Sequence, residues 1–179
     1  AIPQELAVLR AELDHRESVE IAHFRFDHGR LFGRDVVLVG TGIGKVNAAV
    51  VATHLIDRFG AKTIVFSGVA GGLDPALAIG DVVIAERLIQ HDFGWFEEER
   101  LNPYQPGHLP FFLPTERFGY SLAPDTQARI AAALEGLALE PMAAEAGGGG
   151  RPPRIVFGTV VTGDQYVNCE ATRRHLFEV

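Results

Sequence analysis

The sequence predicts an α/β fold, a single domain with a mixed central β-sheet flanked by helices. Three observations carry that prediction. Short apolar runs of strand length alternate with stretches of helical period along the chain. Two glycine-rich loops, 40–44 and 68–72, each follow such a run, which is where α/β sheets gather ligands. The 179 residues, 47% hydrophobic and 22% charged with mean hydropathy +0.11, fit one soluble domain and exclude wholesale disorder.

The first helix is read from Ile2, Leu6, Leu9 and Leu13, which recur at spacings of four, three and four, with Pro3 suited to a first turn. Residues 19–27 and 36–39 read as strands, the first ending at His28-Gly29-Arg30 and a further turn falling at Gly33-Arg34-Asp35. A helix over 45–59 follows the first glycine loop, with Gly60 at its C-terminal side and Val46, Ala49, Val50, Thr53 and Ile56 as its buried face. Residues 62–67 read as a short buried strand leading into the second glycine loop, and 81–85 as another, entering Gln90-His91-Asp92-Phe93. Four prolines interrupt 96–118, which is read as a long loop or an oligomer contact. A helix over about 124–139, a glycine-rich surface loop at 147–153 and a strand over 154–162 complete the pattern, with a last helix capped by Asn168. No strand precedes the first helix and no cap or tail closes the last, so the domain, 1–179, is expected to be incomplete at both ends.

Sixteen basic against 23 acidic side chains give a formal net charge of −7 and a pI near 5.5, unsuited to gripping nucleic-acid phosphates or an anionic membrane. The single cysteine, Cys169, cannot form an internal disulfide, and no apolar run is long enough to span a bilayer. A cytoplasmic protein is expected. The seven histidines lack metal-ligand spacing, so no metal is expected. The His91-Asp92 pair, having no further ligands nearby, reads as structural.

The loop Gly40-Thr41-Gly42-Ile43-Gly44-Lys45 invites a nucleotide reading that its spacing refuses. Val39 stands where a phosphate loop needs its first glycine, Val46 where it needs Ser or Thr, and Lys45 where a dinucleotide fingerprint needs its third glycine. Close backbone approach survives, together with a helix N-terminus offering N–H groups to an oxygen-rich ligand.

Four segments then occur in order: Gly42-Ile43-Gly44-Lys45-Val46-Asn47-Ala48-Ala49, Ser67-Gly68-Val69-Ala70-Gly71-Gly72, Ile79-Gly80-Asp81-Val82-Val83 and Thr162-Gly163-Asp164-Gln165-Tyr166-Val167-Asn168. Together they resemble the purine nucleoside phosphorylase/nucleosidase superfamily, in particular its 5′-methylthioadenosine/S-adenosylhomocysteine nucleosidases. The resemblance covers 1–95 and about 118–179. It implies a nucleoside phosphorylase-like fold lacking here its first strand and C-terminal elements. It also implies hydrolysis of an N-ribosidic bond to release adenine, without a cofactor. Glu5 aligns with the water-activating glutamate. Tyr166 takes the place of the ring that stacks on adenine, and Val167 that of the main-chain reader of the base edge, with Asn168 beside it. Val69, Ala70 and Gly71 fall in the loop that approaches the ligand. Trp95 lies where relatives contact a neighbouring subunit's site.

Two departures bear on that reading. Val69 replaces a polar residue that helps place the water in many relatives. The family's Glu-Met-Glu motif for the ribose hydroxyls, and the aspartate that protonates the purine, fall downstream of residue 179, so the 179 residues alone are expected to be inactive. Neighbouring readings are a futalosine-type hydrolase, a purine nucleoside phosphorylase, or, in another class, a nucleoside-binding protein without catalysis. The aromatic residues of 93–120 (Phe93, Trp95, Phe96, Phe111, Phe112, Phe118 and Tyr120) predict a homodimer, since so apolar a segment is poorly suited to water.

Overall fold

A computed structural model describes residues 3–106 and 118–178. Ile2 of the predicted helix face, and Phe111 and Phe112 of the aromatic segment, lie outside the described residues. The chain forms two compact units, 1–71 and 72–179. Each has its own strands and helices, in keeping with the predicted α/β class.

In the first unit, α1 (Pro3–Ala11) precedes an antiparallel meander of β1 (Asp14–Ile21), β2 (Phe24–Leu31) and β3 (Arg34–Val39), and α2 (Lys45–Asp57) follows. The expected strand over 19–27 is therefore two strands. Ala22 and His23 both take left-handed backbone (φ +49° and +71°) and turn the chain there, without the Gly or Asn that marks such hairpins. Gly29 is paired within β2, opposite Val36, and the second turn falls at Phe32-Gly33. Side chains alternate across β2. Phe26 points to a core with Val51 and Leu55 of α2, and Phe59 stacks on it at 5.0 Å between ring centres. On the other face, Leu13 lies against Gly29; it falls past the end of α1, between the helix and β1, and so is not part of the helical face predicted for it.

Two expectations for this unit are corrected. The buried row of α2 is Val51 and Leu55, whereas Val46, Val50 and Ile56 are exposed. Apolar residues surround this helix, so periodicity did not single out one face; the four-residue row that meets Phe26 is the one buried. Residues 62–67 form no strand, and Ile64, Val65 and Phe66 are exposed. A strand exists only through a hydrogen-bonded neighbour, and none of the described strands pairs with this run.

In the second unit, β4 (Val82–Gln90) runs parallel to β8 (Ile155–Thr162) from Val82 opposite Ile155 to Gln90 opposite Thr162, and antiparallel to β7 (Tyr120–Ser121). This small sheet is mixed, as expected. A hairpin of β5 (Gly94–Glu97) and β6 (Arg100–Pro103) occupies part of the segment read as a loop. The helix α3 (Pro124–Leu134) stops short of residue 139, because Glu135 already has extended backbone ahead of Gly136. The glycine-rich loop is held at its far end. Arg151 makes a two-pronged contact with Asp81 at 2.8 and 2.9 Å, and the Asp81 carboxylate also accepts the Arg154 and Ala78 main-chain N–H groups. Those hydrogen bonds, that of Arg151 foremost, keep the Asp81 carboxyl far below the usual carboxylate range.

Candidate active site

The first glycine loop turns the chain into α2. Gly44 precedes α2 without any side-chain cap, and Asn47 donates to the Ile43 carbonyl at 2.9 Å, tightening the turn. The loop is exposed.

Glu5 stands in the first turn of α1, and its carboxylate reaches the second glycine loop, where Oε1 accepts the Val69 main-chain N–H at 2.7 Å. A Cβ at position 68 would stand 3.2 Å from that same oxygen, a tight contact that Gly68 spares the carboxylate. An anionic acceptor on a main-chain donor makes a short, strong bond, and here it joins residues 64 apart in sequence. Two predicted site residues, Glu5 and Val69, are thus brought together, with Ala70 and Gly71 next along the same exposed loop. The bond uses the backbone of Val69, so the valine side chain does not interrupt it.

In the second unit the carboxyl ends of β4 and β8 lie side by side. The His91 N–H continues the ladder to the Thr162 carbonyl at 3.0 Å. The Asp92 carboxylate accepts Gln90 Nε2 at 2.9 Å through one oxygen and the Asp164 N–H at 2.7 Å through the other. A Cβ at position 163 would strike the His91 ring and approach Asp92 Oδ2 to 3.0 Å, so Gly163 admits this pair beneath the loop. The His91-Asp92 pair ties the start of the segment carrying Tyr166, Val167 and Asn168 to the end of β4. Asp92 is the residue the sequence reading undervalued. Its adjacency to His91 drew attention, but only the parallel register brings it against Asp164.

Tyr166 presents its ring to solvent, 92% exposed, while Val167 is half-buried and Asn168 exposed. The helix α4 (Glu170–Glu178) follows, and its cap is Cys169, not Asn168. The Cys169 sulfur accepts the Thr172 N–H at 3.4 Å and lies 2.8 Å from the Thr172 hydroxyl. That hydroxyl, with the Thr172 and Ala171 N–H groups, draws the Cys169 thiol below its ordinary pKa. Trp95, on β5, packs on Tyr104 at 5.8 Å between ring centres, and Tyr104 meets Phe93 at 4.8 Å. Trp95 remains 39% exposed, so it belongs to the hairpin's own cluster and still offers surface. Among the described residues no three His, Cys, Asp or Glu side chains are grouped to hold a metal ion, and no helix is long and apolar enough to cross a membrane.

Comparison with known proteins identifies the family and the fold. The profile of the Phosphorylase superfamily matches residues 1–179. A 5′-methylthioadenosine/S-adenosylhomocysteine nucleosidase of Mycobacterium bovis is 56% identical over 176 residues, covering 98% of this chain and 69% of the relative. Among solved structures, the nucleosidase of that name from Colwellia psychrerythraea, in complex with adenine, superimposes with a TM-score of 0.74 at 29% identity, covering 99% of this chain and 66% of that one. A futalosine hydrolase mutant of Helicobacter pylori has a TM-score of 0.71 at 22% identity, a likeness of fold alone. The chain thus spans about two thirds of the length of these relatives.

Proposed function

The chain belongs to the phosphorylase superfamily, and on that premise we propose that it hydrolyses the N-ribosidic bond of 5′-methylthioadenosine and S-adenosylhomocysteine, releasing adenine. The observation that carries the reading is the Glu5 carboxylate held on the Val69 N–H. Loss of the base leaves positive charge on the sugar, as in glycoside hydrolysis. The carboxylate would orient a water against the ribosyl carbon and take its proton as the carbon–nitrogen bond breaks and the bond pair leaves with adenine, whose ring nitrogen takes a proton from a general acid. Its anionic charge would also favour the developing cation. A fixed main-chain donor suits this task, since it holds the carboxylate in place without neutralising it. Tyr166 would stack on the purine, Val167 would read its edge through the main chain, and Ala70 and Gly71 would border the nucleoside.

The names of the 56%-identical relative and of the adenine-bound structure support this substrate class over the futalosine alternative, which fold alone does not separate. The reading includes a homodimer, in which the exposed part of Trp95 meets the partner, and a cytoplasmic setting. Adenine release from 5′-methylthioadenosine by the intact gene product, measured with and without inorganic phosphate, tests it. Equal rates are expected; strict dependence on phosphate would replace hydrolysis by phosphorolysis.

A further inference from the structure

The helix carrying Glu5 is short. At nine residues α1 is below the ~12–15 residues at which an isolated helix becomes even marginally stable in water, so its place is set by what it is tied to. One tie is apolar, through buried Leu6, with buried Leu13 just past the end of the helix. The other is ionic. Arg10, in the last turn, donates through Nε to Asp27 Oδ2 at 2.7 Å.

Asp27 is an unusual anchor. It lies in the middle of β2, opposite Ser18 on β1 and Leu38 on β3, and is 0% exposed. Besides Arg10 it accepts Ser18 Oγ at 2.6 Å and Arg25 Nε at 2.9 Å, and Arg16 Nε lies 3.5 Å away. One carboxylate therefore gathers three guanidinium groups, and all but Arg10 belong to the hairpin of β1 and β2. Burying such a group gives less stability than an apolar side chain of the same volume would, so stability alone is a poor account of it. Direction is what it offers. Leucine contacts let a helix slide or roll, whereas a guanidinium bonded at 2.7 Å to a carboxylate seated on its own strand does not.

Leu6 and Arg10 are four residues apart and share one face of α1. Glu5 and Arg10 are separated by about 7.5 Å along the axis and by about 140° around it, so tethering Arg10 sets both the depth and the rotation at which Glu5 arrives. A slip of α1 by one residue would rotate it by about 100° and carry the carboxylate away from the Val69 N–H. We propose that Asp27, acting through Arg10, is a positioning residue for Glu5, fixing the rotation and depth of α1 so that the carboxylate meets the second glycine loop. This rests on the reading of Glu5 as the water-activating base.

The test measures kcat and KM for adenine release by the intact gene product carrying Arg10→Met, Arg10→Lys, Glu5→Gln or Val51→Ala, well below all their melting temperatures. Arg10→Met keeps an apolar stem and removes the ionic tie. It is expected to lower kcat at least tenfold with KM within twofold of the parent, and Arg10→Lys to recover at least a third of the parent rate. Val51→Ala weakens the core on the other face of the sheet and is expected to lower the melting temperature with kcat unchanged. Abolished turnover in Glu5→Gln with Arg10→Met within twofold of the parent would overturn the positioning role and leave the nucleosidase reading intact. Full turnover in Glu5→Gln would overturn the base assignment and this proposal with it. A KM that rises in step with the fall in kcat, or no recovery in Arg10→Lys, also counts against positioning. Should Arg10→Met fail to fold, Asp27→Asn is judged by the same tenfold criterion.

Discussion

Replacing Tyr166 by alanine separates a stacking platform from a packing residue, because the ring is 92% exposed in the protein itself. A side chain so little packed contributes almost nothing to folding, and surface substitutions of this kind usually shift stability by less than about 0.5 kcal/mol. Stacking of a nucleobase on an aromatic ring is worth about 1–3 kcal/mol. At about 1.4 kcal/mol per factor of ten, Tyr166→Ala should weaken adenine binding by about 5- to 150-fold with an unchanged melting temperature. Tyr166→Phe keeps the π-face and should bind adenine within about twofold of the parent on the same stacking argument. Titration calorimetry with adenine, paired with thermal denaturation of each variant, reads both quantities. Alanine-variant affinity within twofold of the parent would refute the stacking role. A melting temperature lowered by several degrees would show instead that the ring belongs to a core.

Two further outcomes are expected. Glu5→Gln keeps an oxygen to accept the Val69 N–H, so it should fold as the parent does while kcat falls by about 10²–10⁴-fold, the usual worth of a general base; steady-state adenine release checks this. Burial would raise the pKa of Asp27, but the hydrogen bonds from Ser18, Arg25 and Arg10 outweigh it and hold the carboxyl below its ordinary value. A lowered folded-state pKa means that the stabilisation is fully present above the unfolded value, near 4, and is lost as pH falls through the folded one. Urea midpoints of the parent and Asp27→Asn should therefore differ by a constant gap from about pH 7 to 5 that narrows below about pH 4; a gap already closing above pH 5 would contradict the assignment.

What was legible in the sequence followed from local chemistry. Gly40–Gly44 and Gly68–Gly72 announced their loops because backbone that must turn tightly or approach closely favours glycine, and Pro124 marked the start of α3 by the rule for first turns. What was not legible depends on distant partners. Residues 62–67 have a strand's composition, yet no described strand pairs with them. The turn at Ala22-His23 carries no turn residue, so its hairpin was invisible until Ser18 and Asp27 were seen to pair. Candidate site residues divide the same way. Glu5 was found through a resemblance, since a glutamate in a first turn is ordinary on its own. Its partner at Val69 is a backbone group with no signature in the alphabet of side chains. Asp27 between Phe26 and His28 gives no hint of the three arginines drawn from positions 10, 16 and 25.

The bond from the Val69 backbone to Glu5 has a consequence for how this protein can vary. A contact made by a side chain is lost by mutation of its codon to almost anything else, whereas an amide N–H is supplied by every residue except proline. Position 69 can therefore exchange one side chain for another, proline excepted, and still hold the carboxylate. The demand on side chains moves one residue upstream, to Gly68, where an added Cβ would stand 3.2 Å from the glutamate oxygen, close enough that the carboxylate would have to shift by a few tenths of an ångström.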